Sequence, residues 1–180
     1  MQMAIVADPA KCYACLTCVV ECGYAKSGDR EGGPLRAEVL SRARLTVEEA
    51  AGYAVPVVCH HCEDAPCMKV CPAGAVYRRE ESGPVLMDAA KCIGCKACIL
   101  ACPFGMARLS YEGRVAQKCD LCLGLLAPGE EPICVRSCPS RALQLVPVGE
   151  VVHRAAQRAA RDLIEAELGA AADSPTSRRA

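Results

Sequence analysis

Tryptophan is missing from this chain of 180 residues, phenylalanine occurs once and tyrosine five times. A core built on large aromatic side chains is excluded, so something else must organise the fold. Net charge is missing too: 21 basic residues balance 21 acidic ones, and nothing marks a nucleic-acid surface. No apolar run reaches the roughly 18 residues of a direct membrane span. With the first Cys at position 12 and no twin-arginine pair before it, no secretory or twin-arginine signal is expected. The expected location is therefore cytoplasmic, where thiols stay reduced and clustered Cys bind metal more often than they form bridges. A Gly-rich dinucleotide fingerprint, a P-loop, a zinc-protease motif and a nucleophile elbow are all absent. With no visible place for substrate chemistry, no catalytic residue is expected. Any part in an enzyme is that of a non-catalytic subunit.

What the chain has in excess is cysteine, sixteen in 180 residues, gathered into four tight groups. Group one is Cys12, Cys15, Cys18 and Cys22; group two is Cys59, Cys62, Cys67 and Cys71. Group three is Cys92, Cys95, Cys98 and Cys102; group four is Cys119, Cys122, Cys134 and Cys138. Clustering of this kind disfavours a disulfide framework, whose cysteines scatter. The spacing CxxCxxCxxxC, followed by Pro in group three, is that of bacterial ferredoxins binding [4Fe-4S] clusters. Two-residue gaps let a loop wrap one face of a cube with three thiolates. The fourth Cys, beyond a helical turn, points away and needs a second cube. Structural zinc could fit group four in isolation, as CxxC, eleven residues and CxxxC. It does not fit groups one and three, each with three thiolates inside seven residues.

The last Cys of groups two, three and four precedes Pro72, Pro103 and Pro139, and AVY, MARLSY and ALQLV follow. This is an internal repeat of ligand loop, short helical turn and strand. Residues 75–88 and 107–118 read as hairpins, the first turning at Ser-Gly-Pro and the second at Glu112-Gly113. The segment from about 24 to 54, with GDREGGPLR, reads as a surface excursion with a loop character and a potential docking role. A helix is expected over 150–169, with Val152, Ala156, Ala159, Leu163 and Ala166 on one docking face, and then a disordered tail at 170–180.

CHHCEDAPCMKVCP at 59–72, KCIGCKACILACPFG at 91–105, and KCDLC followed by CVRSCP resemble four-cluster ferredoxin subunits of redox complexes. These include the small iron-sulfur subunits of formate hydrogenlyase, carbon monoxide dehydrogenase, tungsten aldehyde oxidoreductase and the molybdenum-enzyme family that includes dimethyl sulfoxide reductase. The similarity spans about residues 4 to 148. It implies an α+β fold of two interleaved bacterial-ferredoxin-like modules with pseudo-twofold symmetry, short hairpins and a C-terminal helix. The outer module is 1–23 plus 115–148, the inner one 55–114, and 149–169 the docking helix. Four [4Fe-4S] clusters are implied. The first takes Cys12, Cys15, Cys18 and Cys138; the second takes Cys119, Cys122, Cys134 and Cys22. The third takes Cys59, Cys62, Cys67 and Cys102; the fourth takes Cys92, Cys95, Cys98 and Cys71. Gly23 departs from the pattern by standing where the other groups have Pro, which leaves the turn after Cys22 open.

The implied role is to relay single electrons between a catalytic oxidoreductase subunit of molybdenum, tungsten or nickel type and another redox partner. Further ferredoxin-like or flavin subunits, or copies of the chain itself, are candidate neighbours. A free polyferredoxin shuttle and an iron-sulfur assembly factor are the alternatives. Lys11, Lys91 and Lys118 each precede the first Cys of a group, where a cation could offset cluster charge; as solvated loop residues they would do nothing. His60 and His61 sit inside a ligand loop and could donate to sulfide or couple a proton, or could simply pack it.

Overall fold

The computed structural model describes residues 2–28, 34–127 and 129–168. Its first strand, β1 (Met3–Ala7), ends at Asp8, whose carboxylate caps a 3-10 turn at Pro9–Lys11 by accepting from the Ala10 amide. Group one then leads into α1 (Thr17–Ser27), which begins on Leu16 in the left-handed region and ends on Gly28. The helix runs through Cys22 rather than stopping there, because Gly23 replaces the Pro that would break it. Gly23 has a second effect. A Cβ there would stand 2.3 Å from the Val39 carbonyl oxygen, so only glycine lets α1 lie against α2 (Ala37–Ser41).

The 24–54 segment carries more structure than its Gly and Pro content predicts. Besides α2 it holds β2 (Thr46–Ala50), which pairs antiparallel with β3 (Tyr53–Val57) across a turn. Both turn residues, Ala51 and Gly52, have positive φ, the conformation that matches the twist of a two-residue hairpin. Val39, Ala43 and Leu45 are buried, so the segment contributes to the core instead of only covering it. Part of its Gly-rich stretch, 29–33, lies outside the described residues.

Groups two and three frame the next elements. Pro66 opens α3 (Pro66–Lys69), a single turn with its N–H-free residue where no donor is needed. The first expected hairpin forms as β4 (Val76–Arg78) and β5 (Val85–Met87) around Ser82-Gly83-Pro84. After α4 (Ala97–Ala101), the second forms as β6 (Arg108–Leu109) and β7 (Ala116–Gln117). α5 (Ile133–Arg136) lies within group four. β8 (Leu143–Pro147) then pairs antiparallel with β1, from Met3 opposite Pro147 to Ala7 opposite Leu143. That long-range pair ties the N-terminal ligand loop to the C-terminal one.

Two apolar clusters result. One joins Ile5, Leu45, Val58, Val135 and Leu143 with Cys18, Cys22, Cys134 and Cys138. The other joins Ala65, Val76, Val85, Ala107 and Ala116 with Cys98, and packs Cys62, Cys67, Cys71, Cys92 and Cys102 against it. Thiols supply the bulk that aromatic side chains supply elsewhere. The last helix, α6 (Val148–Leu168), touches β1 and β8 near its start, and every position from Val152 to Glu167 is exposed. Its expected docking face is thus not used against the body of its own chain. The expected tail at 170–180 lies outside the described residues.

Candidate metal centres

In all four groups the residue just before the second Cys has positive φ: Ala14 at 60°, His61 at 47°, Gly94 at 70° and Leu121 at 54°. Three of these are not glycine, and such a conformation costs roughly 1–2 kcal/mol for a residue with a Cβ. Backbone of this kind turns successive amides toward one point, the arrangement that cradles phosphates and iron-sulfur clusters. Groups one and three repeat it at Leu16 and Lys96, which open α1 and α4. At Gly94 the glycine is obligatory for a further reason, since a Cβ would meet the Arg114 carbonyl oxygen at 2.3 Å.

The folded chain brings each triplet of thiols to a fourth from another group. Cys59, Cys62 and Cys67 line a solvent-open hollow with Cys102. Cys92, Cys95 and Cys98 line a second with Cys71. Cys119, Cys122 and Cys134 line a third with Cys22. For the remaining set, burial pushes the Cys18 thiol up to about 11, and the charges of Cys138, Cys15 and Cys12 add to it in that order. Those three therefore stand beside Cys18.

Burial dominates the chemistry of the interior thiols. It pushes Cys119 up to about 12 and raises Cys134 further, the latter also feeling Cys119, Cys22 and Cys122. Cys15 is lowered instead, by the Thr17 hydroxyl and amide. Cys138 is lowered although burial opposes it, because the Leu143, Ala142 and Ser140 amides and the Ser140 hydroxyl prevail. Amides also point at sulfur elsewhere: Arg44 N to Cys22 Sγ and Met106 N to Cys102 Sγ at 3.3 Å, Leu121 N to Cys119 Sγ at 3.4 Å. Such donors favour the thiolate and raise the reduction potential of a cluster bound there.

Nearby side chains hold the loops. The Arg78 guanidinium donates to the carbonyls of Cys62 and Glu63 at 2.6 Å and of Gly83 at 2.7 Å, locking the group-two loop to the β4–β5 turn. Lys26 donates to both carboxylate oxygens of Asp120, at 2.6 and 2.8 Å, and joins α1 to group four. Burial opposes ionisation of Asp120, yet the Lys26 hydrogen bond and charge hold its carboxyl below the usual range. Sequence spacing alone did not mark Arg78, Lys26 or Arg44.

The two histidines differ. His60 stacks at a tilt against Phe104, with ring centroids 4.2 Å apart. His61 is 1% exposed; its Nδ1 lies 3.0 Å from the Val85 carbonyl oxygen, and its Nε2 has no hydrogen-bond partner. Burial first, then the Lys118 charge, pushes its pKa down to about 3, so it is neutral across the ordinary pH range.

Among the described residues, no group of three or more His, Cys, Asp or Glu side chains is arranged to hold a single metal ion. All-thiol sets converging from separated loops, with amides aimed at sulfur, fit a multi-atom iron-sulfur group. The fold and these sites define an iron-sulfur protein of the ferredoxin type.

The model of the 4Fe-4S dicluster domain matches residues 50–148, and the protein belongs to that family. It is 39% identical over 162 residues to the putative electron transport protein YsaA of Escherichia coli, covering 88% of this sequence and 99% of that one. It is 40% identical over 146 residues to the thiosulfate reductase electron transfer subunit PhsB of Salmonella typhi, covering 79% and 74%. Over 158 residues it is 37% identical to the B subunit of the anaerobic dimethyl sulfoxide reductase of Escherichia coli, covering 83% and 76%. The resemblance carried by the motifs is borne out, and [4Fe-4S] is the cofactor type. No helix among the described residues is long and apolar enough to cross a membrane.

Proposed function

We propose that the protein is the non-catalytic electron-transfer subunit of an oxidoreductase complex. It holds four [4Fe-4S] clusters in a line and relays single electrons between a catalytic subunit and another redox partner. The observation that carries this reading is the meeting of each Cys triplet with a remote fourth thiol, as where Cys102 joins Cys59, Cys62 and Cys67. The linear order is supported by proximity between sets. Cys134 of the second set feels Cys18 of the first, and Cys119 of the second feels Cys59 of the third. Two interleaved modules related by a pseudo-twofold are supported by the matched left-handed residues of groups one and three and by the two separate apolar clusters.

Each cluster, when bound, supplies a one-electron redox couple. The protein's part is to fix spacing, exclude water and tune potential. Its backbone amides donate to sulfur, its apolar clusters cover the interior thiols, and its surface leaves Cys15 of the first set and Cys95 of the fourth exposed. Those two loops are where electrons would enter and leave.

The partner we infer is a catalytic subunit of molybdenum, tungsten or nickel type in the cytoplasm. Relatives named as subunits of reductases support it, as does the exposed α6, which a diffusing shuttle has no use for. Anaerobic purification under native conditions tests both parts. About sixteen iron atoms per polypeptide and co-purification with a larger oxidoreductase subunit are expected. Stoichiometric zinc, or far less iron, overturns the cluster reading; a stable monomer that serves many enzymes overturns the subunit reading.

A further inference from the structure

Three lysines stand immediately before the first Cys of a group, and the structure separates one of them from the other two. Lys11 and Lys91 are exposed, at 50% and 64% of their side chains, and each pairs with a carboxylate three residues earlier. Asp8 lies 3.2 Å from Lys11 and Asp88 lies 3.8 Å from Lys91. The sequences are DPAKC and DAAKC. In group four the same stretch reads VAQKC, with Val115 where the carboxylate should be.

Lys118 is only 4% exposed. Its ammonium donates to the Val85 carbonyl and, at 3.2 Å, to the Cys119 carbonyl, and no carboxylate among the described residues pairs with it. Asp120, two residues on, is taken by Lys26. A buried cation without a counter-ion is strongly unfavourable unless negative charge is nearby. Here the surroundings are thiols: Lys118 lines the Cys59, Cys62, Cys67 and Cys102 cavity, while its own neighbour in sequence, Cys119, belongs to the next set. Cys119 and Cys59 are within electrostatic reach of each other, so Lys118 sits where the second and third sets meet.

We infer that Lys118 is a built-in counter-charge at the junction between the two interior cluster sites, raising the reduction potentials of both and leaving the two terminal sites unaffected. The inference rests on the four-cluster reading. Adding an electron to either interior site adds negative charge beside a fixed ammonium held out of water, where screening is weak. Lys118 is a positioning residue for charge and touches no substrate.

The test is a redox titration of the iron-loaded full-length protein, followed by electron paramagnetic resonance, on wild type, K118M, K118Q and K118R, with K11M and K91M as controls. In K118M and K118Q, two of the four potentials should fall by at least tenfold in the reduction equilibrium, about 59 mV for one electron. K118R should keep them, and the two controls should match wild type. Unshifted potentials in an iron-replete K118M or K118Q overturn the inference. So does loss of iron from all three Lys118 variants, which would make the residue structural. If wild type itself lacks four titrating signals, the four-cluster reading falls first.

Discussion

A single methyl group at position 23 should loosen the junction of α1 and α2. In Gly23→Ala the new Cβ would stand 2.3 Å from the Val39 carbonyl oxygen and 3.0 Å from its carbon. Real Cβ atoms do not come nearer than 3.0 Å, so the helices must part by about 0.7 Å. Overpacking of this kind costs about 1–3 kcal/mol. Replacing glycine by alanine inside a helix returns about 1 kcal/mol. The obstacle is backbone and cannot swing aside, so the upper half of the penalty applies and the net loss is about 1–2 kcal/mol. For a protein of this size that corresponds to about 2–8 °C. The displacement also reaches the proposed second cluster site, because α2 leads to Arg44, whose amide donates to Cys22 Sγ. The assay is the temperature at which iron-sulfur absorbance is lost on heating under argon, compared at one scan rate since the loss is irreversible. Gly23→Val should fall further than Gly23→Ala. A midpoint equal to wild type or above it would refute the close-approach argument.

Other predictions concern the loops and the thiols. Arg78→Met removes three charge-assisted hydrogen bonds that pin the group-two loop, a loss of about 2–3 kcal/mol, and should speed iron release from the third site to a chelator; release at the wild-type rate contradicts this. Iron removal should weaken the fold without abolishing it, since cysteines are part of both apolar clusters; a chelated protein with unchanged hydrogen-exchange protection would count against it. In the iron-free protein, Cys18 and Cys119 carry thiols raised by burial to about 11 and about 12 from an ordinary 9.0. The unfolded polypeptide releases those protons first, so their contribution is complete below pH 9 and disappears as pH rises through 11 and 12. Circular dichroism of anaerobic, iron-free protein should show the loss in that window, and an iron-free protein more stable at pH 11 than at pH 8 contradicts the sign.

Local chemistry was legible in the residues themselves, whereas long-range pairing came only through the family resemblance. Ser82-Gly83-Pro84 and Glu112-Gly113 announce their hairpins because turn conformation is written in the turn residues themselves. The periodicity of Val152, Ala156, Ala159 and Leu163 announces α6 in the same way. The β1–β8 ladder joins residues some 140 apart, and nothing local in Met3–Ala7 names its partner. The β2–β3 hairpin was hidden because its turn, Ala51-Gly52, lies downstream of a Gly- and Pro-rich stretch that dominates the reading of 24–54. Among the candidate site residues, spacing picks out the cysteines because cube geometry constrains it. It says nothing of Arg78 or Lys26, whose partners are distant carbonyls and a carboxylate. Lys118 did leave a mark, in the valine that replaces the aspartate of the two sister motifs.

Exchange of the fourth ligand between groups is tested most directly by replacing Cys22 with serine and reading each cluster by electron paramagnetic resonance. Spectra of Cys119→Ser and Cys12→Ser, prepared in parallel, identify the second and first signals. Cys22→Ser is predicted to perturb the signal altered in Cys119→Ser and to leave intact the one altered in Cys12→Ser. If instead the Cys12→Ser signal alone changes, the thiol of Cys22 serves its own group and the interleaved arrangement is wrong.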